Sequence, residues 1–153
     1  MSIPVIIYRI GNLLYRKKIP FIPFWFSLVN RMLFSVWLPS SAKIGRRFTV
    51  GYMGLGIVIH SDTEVGDNCL IAQNVTIGRN FGDAKVPVLG SDVYVGAGSV
   101  IFGEITIGNN VIIGSNSLIN KSVPDNSTVV GNPMRIISKD RLEKYYNIDS
   151  KVS

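Results

Sequence analysis

Aliphatic residues recur at every sixth position through most of this chain, and a small or polar residue usually follows each of them. The three series are Leu38, Ile44 and Val50; Ile59, Val65, Ile71 and Ile77; and Leu89, Val95, Ile101, Ile107, Ile113 and Ile119. Six residues make one short strand and one corner, and strands rich in Val and Ile suit a flat, half-buried surface. Because a single unit cannot bury its apolar side alone, the units must stack into a solenoid. An ordinary β-sandwich would not hold so strict a period.

The same pattern divides the chain into three parts. Residues 1–37 carry helical or irregular patterns, residues 38–137 carry the repeat, and residues 138–153 form a charged tail. We therefore predict a mainly β protein, a parallel β-helix preceded by a short N-terminal helical cap.

Two insertions break the period of six. Ile59 follows Val50 at a spacing of nine residues, and the pattern lapses between Ile77 and Leu89. Insertions in solenoids form loops, often on the binding face. We therefore expect a functional site at one or both of these loops.

Residues 1–37 allow two interpretations. Ile6, Ile10 and Leu13 approximate one apolar helical face, and basic residues lie beside the aromatic stretch 19–26. A β-helix needs a cap over its open end, and this segment would supply it. Basic residues beside aromatic ones also suit peripheral contact with a membrane surface. Both interpretations remain open at this point.

Composition narrows the possible partners and location. Apolar residues make up 46% of the 153 residues and charged residues 17%, which excludes a disordered chain. The net charge of +6 suits an anionic partner, but the absence of nucleic-acid motifs argues against nucleic acid. The single Cys69 suits a reducing compartment and a packing role. We expect a cytoplasmic protein, because no apolar stretch reaches the roughly 18 residues that a membrane span needs.

Several stretches resemble the hexapeptide-repeat acetyltransferases, most closely the serine acetyltransferase-like branch with its short enzymes of surface-polysaccharide pathways. They are GIVIH at 56–60, QNVTIG at 73–78, VGAGSVI at 95–101, VPDN at 123–126 and the terminal signature GNPMRII at 131–137. The resemblance covers roughly residues 5–138. It implies a left-handed parallel β-helix, usually a homotrimer, with acetyl-CoA between neighbouring subunits and a histidine as general base.

Acyl transfer to a hydroxyl requires a base and a donor for the oxyanion. His60 is the only histidine and follows the first insertion, so it is either that base or a structural histidine at a corner. The resemblance places a histidine where Tyr52 stands, and another just before Pro87. Tyr52 is therefore either part of a proton path or a packing aromatic. Three carboxylates, those of Asp62, Glu64 and Asp83, would each orient a base or be a solvated charge, and Asp83 lies in the second insertion.

The resemblance also indicates where acetyl-CoA would bind. The positions that would line its pantetheine arm are Gly96, Ala97, Gly114 and Ser115. Small residues there let a cofactor approach the backbone closely. Lys121 and Arg135 would meet the CoA phosphates, or are ordinary surface charges. No cluster of metal ligands stands out in the sequence, and we expect no metal.

These features predict an acetyl-CoA-dependent O-acetyltransferase acting on a sugar of a surface polysaccharide or its precursor. Serine O-acetyltransferase of cysteine biosynthesis is the first alternative. Against it we weigh the missing family histidines and the lack of a large N-terminal helical domain. The second alternative is a non-catalytic β-helical scaffold.

Overall fold

A helical hairpin begins the chain in the computed structural model, which describes residues 1–148. Helix α1 spans Ile3–Arg16 and helix α2 spans Ile22–Phe34, and each has a proline in its first turn, where the missing N–H is tolerated. The helices run antiparallel, because Asn30 Nδ2, late in α2, donates to the Pro4 carbonyl, early in α1, over 2.9 Å.

Short strands form three sheets, one on each side of a prism. The strands are β1 Lys43–Ile44, β2 Thr49–Val50, β3 Val58–Ile59, β4 Glu64–Val65, β5 Leu70–Ile71, β6 Thr76–Gly78, β7 Val88–Leu89, β8 Tyr94–Val95, β9 Val100–Phe102, β10 Thr106–Ile107, β11 Ile112–Ile113, β12 Leu118–Ile119, β13 Thr128–Val130 and β14 Arg135–Ser138. Sheet 1 contains β3, β6, β9 and β12, sheet 2 contains β1, β4, β7 and β10, and sheet 3 contains β2, β5, β8, β11, β13 and β14. Every pair is parallel except β13–β14. The predicted left-handed β-helix is confirmed.

The core is a stack of the residues that recur at every sixth position. Val65 pairs with Leu89, Ile71 with Val95 and Ile77 with Ile101, so equivalent side chains of successive coils lie above one another. All thirteen residues of the three series are buried. Cys69 is buried in the same core, and burial raises the pKa of its thiol to about 11, as a packing role implies.

We name each corner by the sheets that it joins, so edge 2–3 leads from sheet 2 to sheet 3. On edge 2–3 one residue in each coil adopts a left-handed conformation, with φ between 53° and 60°. These residues are Arg47, Asn68, Asp92, Asn110 and Asn126. Asn and Asp tolerate this conformation better than other side chains, which explains their prevalence here.

Helix α1 covers the open end of the solenoid, as predicted for the N-terminal segment. Strand β1 pairs with β4 on one side, and α1 satisfies its other side. The Tyr8 hydroxyl donates to the Ala42 carbonyl over 2.6 Å and accepts from Ile44 N over 3.3 Å. Arg9 donates to the Ile44 and Gly45 carbonyls. Burial raises the pKa of Tyr8, so the hydroxyl keeps the proton that it donates.

The chain after β14 folds back over edge 2–3 and ends, within the described residues, in the short helix α3 Tyr145–Ile148. Lys144 Nζ lies 2.9 Å from Asp92 Oδ2, and the Tyr145 hydroxyl donates to the Asn68 carbonyl over 2.8 Å. Residues 149–153 of the predicted tail lie outside the described residues. Among residues 1–148, no helix has the length and apolar character needed to cross a membrane.

Candidate active site

Four of the predicted cofactor residues lie together on edge 3–1, the corner between sheets 3 and 1. Gly96 stacks directly on Gly114 and Ser115 of the next coil. A Cβ at Gly96 would lie 2.5 Å from Ser115 N and 2.8 Å from the Gly114 carbonyl carbon. The glycine is therefore required by the close approach of two coils, a packing reason that the sequence analysis did not give. Ala97 follows Gly96 and is half-buried.

Edge 3–1 presents backbone N–H groups without partners. The N–H groups of Gln73, Ala97 and Ser115 donate to no acceptor within residues 1–148. These residues occupy the same place in successive coils, two positions after a core aliphatic residue. Because backbone donors need an acceptor, these groups are open to water or to a ligand carbonyl.

On edge 2–3, by contrast, the N–H groups at the same place in the repeat are capped by side chains. Each bonds to a side-chain oxygen of the next coil, at 2.7–3.1 Å. The pairs are Arg46 N to Asp67 Oδ1, Asp67 N to Ser91 Oγ, Ser91 N to Asn109 Oδ1 and Asn109 N to Asp125 Oδ1. The bond from Arg46 N is the main cause that lowers the pKa of Asp67.

Tyr52 lies on edge 3–1, in the first insertion. The insertion contains the 3-10 turn Gly51–Gly54, where Tyr52 has φ 46° and Met53 φ 57°. Two successive left-handed residues that are not glycine are unfavourable, by about 1–2 kcal/mol each. Tyr52 is 78% exposed. Strain of this kind, held at an exposed aromatic residue, is a common mark of a functional loop.

His60 lies on edge 1–2, at the opposite end of β3 from Tyr52. Its Nδ1 accepts a hydrogen bond from Asp62 N over 3.2 Å, and its side chain is 29% exposed. A neutral imidazole that accepts at Nδ1 carries its proton on Nε2. In this arrangement His60 therefore caps a turn and presents a donor outward. Its role as a base remains a prediction, and it requires the ring to release Asp62 N.

Asp83 also lies along edge 1–2, in the second insertion. Its Oδ2 accepts from Glu104 N over 3.2 Å, and Lys85 Nζ lies 3.0 Å from Glu104 Oε1. Both contacts tie the inserted loop to the next coil. The carboxylate that contacts His60 is that of Asp62, at 3.8 Å from Nδ1, rather than that of Asp83.

Lys121 lines a cleft of ≈ 440 Å³ at the C-terminal end of the solenoid. The lining residues are Leu118, Asn120, Lys121, Asn132, Pro133, Met134, Ile136 and Lys139. Lys139 is a second cation that the sequence analysis missed, because only the turn into β14 brings it near Lys121. Arg135 lies on β14, is exposed, and is not among the lining residues.

Comparison with known proteins identifies a family for this chain. Residues 87–121 match the family described as bacterial transferase hexapeptide (six repeats). The chain is 35% identical to the serine acetyltransferase of Helicobacter pylori over 136 residues, which cover 88% of this chain and 79% of that protein. The chain belongs to the serine acetyltransferase family.

Two further serine acetyltransferases show how much of their sequence and structure this chain matches. The serine acetyltransferase of Bacillus pumilus is 36% identical over 85% of this chain, which spans 60% of that protein's length. The crystal structure of Brucella abortus serine acetyltransferase in complex with coenzyme A superposes with a TM-score of 0.83 at 28% identity. That match covers 88% of this chain and 54% of the Brucella chain.

Proposed function

We propose that this chain is an acetyl-CoA-dependent O-acetyltransferase whose acceptor is a small hydroxyl compound of the L-serine class. The main support is the 35% identity to the Helicobacter pylori serine acetyltransferase across 79% of that protein. The names of the relatives support this acceptor better than the polysaccharide sugar that the sequence analysis favoured. A non-catalytic scaffold receives no support from these names.

Edge 3–1 suits the pantetheine arm of the donor. The open N–H groups of Ala97 and Ser115 would donate to its amide carbonyls, and the small side chains leave room for it. Gly131, whose carbonyl accepts from Leu118 N over 3.1 Å, ends this edge beside the cleft. Lys121 and Lys139 line the cleft and would meet phosphate oxygens. The Brucella enzyme's complex with coenzyme A supports a donor of this class.

The reaction requires one proton to be moved. The acceptor oxygen attacks the thioester carbonyl carbon, its proton passes to a base, and the C–S bond breaks to release CoA with a proton. Two residues compete for the role of base. Tyr52 shares an edge with the proposed donor site, whereas His60 would first have to release Asp62 N.

A matched pair of variants at His60 separates catalysis from turn capping. In His60→Asn the amide oxygen can still accept from Asp62 N, but the amide cannot act as a base. If His60 is the base, His60→Asn lowers kcat by about 10²–10⁴ while thermal stability is retained. If His60→Asn keeps its activity and His60→Ala only loses stability, His60 is structural.

The proposed activity is tested by thiol release from acetyl-CoA. We expect turnover with L-serine and little or none with a panel of sugars. The variant Tyr52→His restores a histidine at the family position and should raise the rate with L-serine. Binding of CoA without turnover on any acceptor would refute the enzyme, and failure to bind CoA would refute the donor site as well.

We also propose a homotrimer, as the family resemblance implies. Tyr52 and His60 lie on different edges of one subunit, and a neighbouring subunit would bring two such edges together. Mass determination by light scattering gives the oligomeric state. If both residues act in one site between subunits, mixed trimers of inactive Tyr52→Phe and inactive His60→Asn chains should regain part of the activity. A monomeric mass would overturn this proposal.

The surface-polysaccharide sugar stays a second candidate acceptor because of one observation. The helical hairpin presents an apolar and basic surface that would suit an enzyme acting on lipid-linked sugars. Turnover with a sugar substrate and none with L-serine would favour this acceptor over the serine class.

A further inference from the structure

The outer side of the helical hairpin carries exposed apolar residues at the same spacing in both helices. We call this surface the hairpin face. It consists of Ile3, Ile6, Ile10 and Leu13 of α1 and Ile22, Trp25, Val29 and Met32 of α2. In each helix these residues follow the spacing i, i+3, i+7, i+10, which places them on one side. Their exposed fractions run from 39% to 75%.

The packing of helix α2 is the reverse of that of an ordinary amphipathic helix on a protein surface. Its buried residues are Pro23, Ser27 and Asn30, two of which are polar. Ser27 Oγ lies 3.1 Å from Ser40 Oγ, and Asn30 is fully buried with its amide donating to α1. The helix thus turns polar groups towards the protein and its large apolar groups, including Trp25, towards the exterior. A soluble surface would favour the reverse arrangement.

The charged side chains of the helical hairpin itself are all basic. Residues 1–61 contain eight Lys and Arg residues and no Asp or Glu, whereas residues 62–153 contain eight and ten respectively. Arg16, Lys17 and Lys18 lie at the turn of the hairpin and Arg31 lies near the end of α2, all of them exposed. The partner of this surface should therefore be apolar and carry negative charge at its border.

We propose that the hairpin face binds the surface of an anionic lipid bilayer, with α1 and α2 lying in the plane of the interface. Apolar and aromatic side chains enter the boundary between headgroups and acyl chains, and Arg16, Lys17 and Lys18 contact the headgroups. A second copy of this chain is a poorer partner, because two such faces would bring together basic residues without carboxylates. A nucleic acid would leave the apolar residues without a partner.

The binding experiment uses vesicles of phosphatidylcholine alone and vesicles that also contain phosphatidylglycerol. We expect the full chain to float with the anionic vesicles and to be released by salt. Lys17→Gln with Lys18→Gln should weaken binding about thirtyfold, because each cation near an anionic surface contributes about fivefold. Trp25 fluorescence should be quenched by brominated lipids, and Trp25→Phe, which leaves Trp37, should abolish most of that quenching.

A matched pair of leucines controls for loss of apolar surface. Leu13 on the hairpin face and Leu142 in the tail are 53% and 93% exposed. Leu13→Asn should weaken binding to anionic vesicles about tenfold, and Leu142→Asn should leave it unchanged. This result does not depend on acetyl transfer, so it stands or falls separately from the proposed activity.

Three results would overturn the proposal. The first is absence of binding to either kind of vesicle. The second is equal loss of binding in Leu13→Asn and Leu142→Asn. The third is a smaller oligomeric mass for Leu13→Asn in light scattering without any vesicle binding, which would make the hairpin face an interface between protein chains.

Discussion

Edge 2–3 and edge 3–1 are built from the same repeat, yet one is closed and the other is open. On edge 2–3, side chains of the next coil cap the backbone N–H groups, and the tail contacts Asn68 and Asp92, which follow capped residues. On edge 3–1 the corresponding N–H groups of Gln73, Ala97 and Ser115 have no partner within residues 1–148. A solenoid can therefore leave backbone donors open at a corner by omitting the side-chain caps there.

The largest expected effect concerns a feature that both edges share: each has a glycine at which successive coils stack closely. Gly96→Ala on edge 3–1 and Gly90→Ala on edge 2–3 each place a Cβ within 2.9 Å of backbone atoms of the next coil. We expect each to lower the free energy of unfolding by about 2–3 kcal/mol in urea titrations. Gly78→Ala is the control, because its Cβ would meet nothing within 4 Å. Tolerance of Gly96→Ala would show that edge 3–1 stacks more loosely than edge 2–3.

The second prediction contrasts a capped N–H with an open one. Ser91→Pro removes the 2.8 Å bond to Asn109 and the Ser91 hydroxyl that caps Asp67 N, so it should lower the free energy of unfolding by about 2 kcal/mol. Ala97→Pro removes no internal bond. Proline suits this position, because the next residue, Gly98, has φ 71° as in a type II turn.

The readout for Ala97→Pro is CoA affinity by calorimetry. Losing one donor to the pantetheine arm should weaken binding about fivefold, with the free energy of unfolding changed by less than about 0.5 kcal/mol. Unchanged affinity would remove the Ala97 N–H from the proposed donor site, while the difference in stability between the two proline variants would still distinguish the edges.

The third prediction contrasts two residues whose backbone adopts the left-handed conformation. Tyr52→Gly should raise the free energy of unfolding by about 1 kcal/mol, because glycine adopts its backbone conformation without strain. Asn68→Gly on edge 2–3 should lower it, because the Asn68 amide bonds to Asp92 over 3.1 Å. In thermal melts, the melting temperature should rise for Tyr52→Gly and fall for Asn68→Gly. A gain of stability in Tyr52→Gly would show that the left-handed conformation of Tyr52 is strained, and a loss of stability would contradict this account.

The smallest effect concerns the tail on edge 2–3. Burial raises the pKa of Asp92, but hydrogen bonds from Lys144 and Asn68 outweigh it and leave the pKa below its usual value. A carboxylate with a lowered pKa stabilises the folded state above its unfolded pKa, about 3.9, and this contribution is lost as pH falls through the folded pKa. The melting temperature of Asp92→Asn should therefore lie below that of the wild type at neutral pH. The difference should shrink in acid, and a constant difference across this range would contradict the assignment.

The sequence alone predicted the features that depend on residues close together along the chain. The period of six identified the core and the solenoid, because each aliphatic residue of the three series is buried. The two insertions marked the loops that contain Tyr52 and Asp83. The structure brings Gly96, Ala97, Gly114 and Ser115 together on one edge, and their contact with acetyl-CoA stays a prediction. Of the three carboxylates that were candidates to orient a base, Asp62 lies 3.8 Å from His60 Nδ1, whereas Asp83 accepts a hydrogen bond from Glu104 N.

Only the tertiary structure decided that edge 2–3 is capped while edge 3–1 is open. The caps on edge 2–3 come from residues 16 to 24 positions later, and this separation varies with the insertions. A pattern of fixed period therefore cannot show which side chain lies beside which N–H group. Nor could it place Lys139 beside Lys121, or turn the polar side of α2 inward. The sequence determined the fold because core burial repeats locally along the chain, whereas the site depends on contacts between coils that the local repeat does not specify.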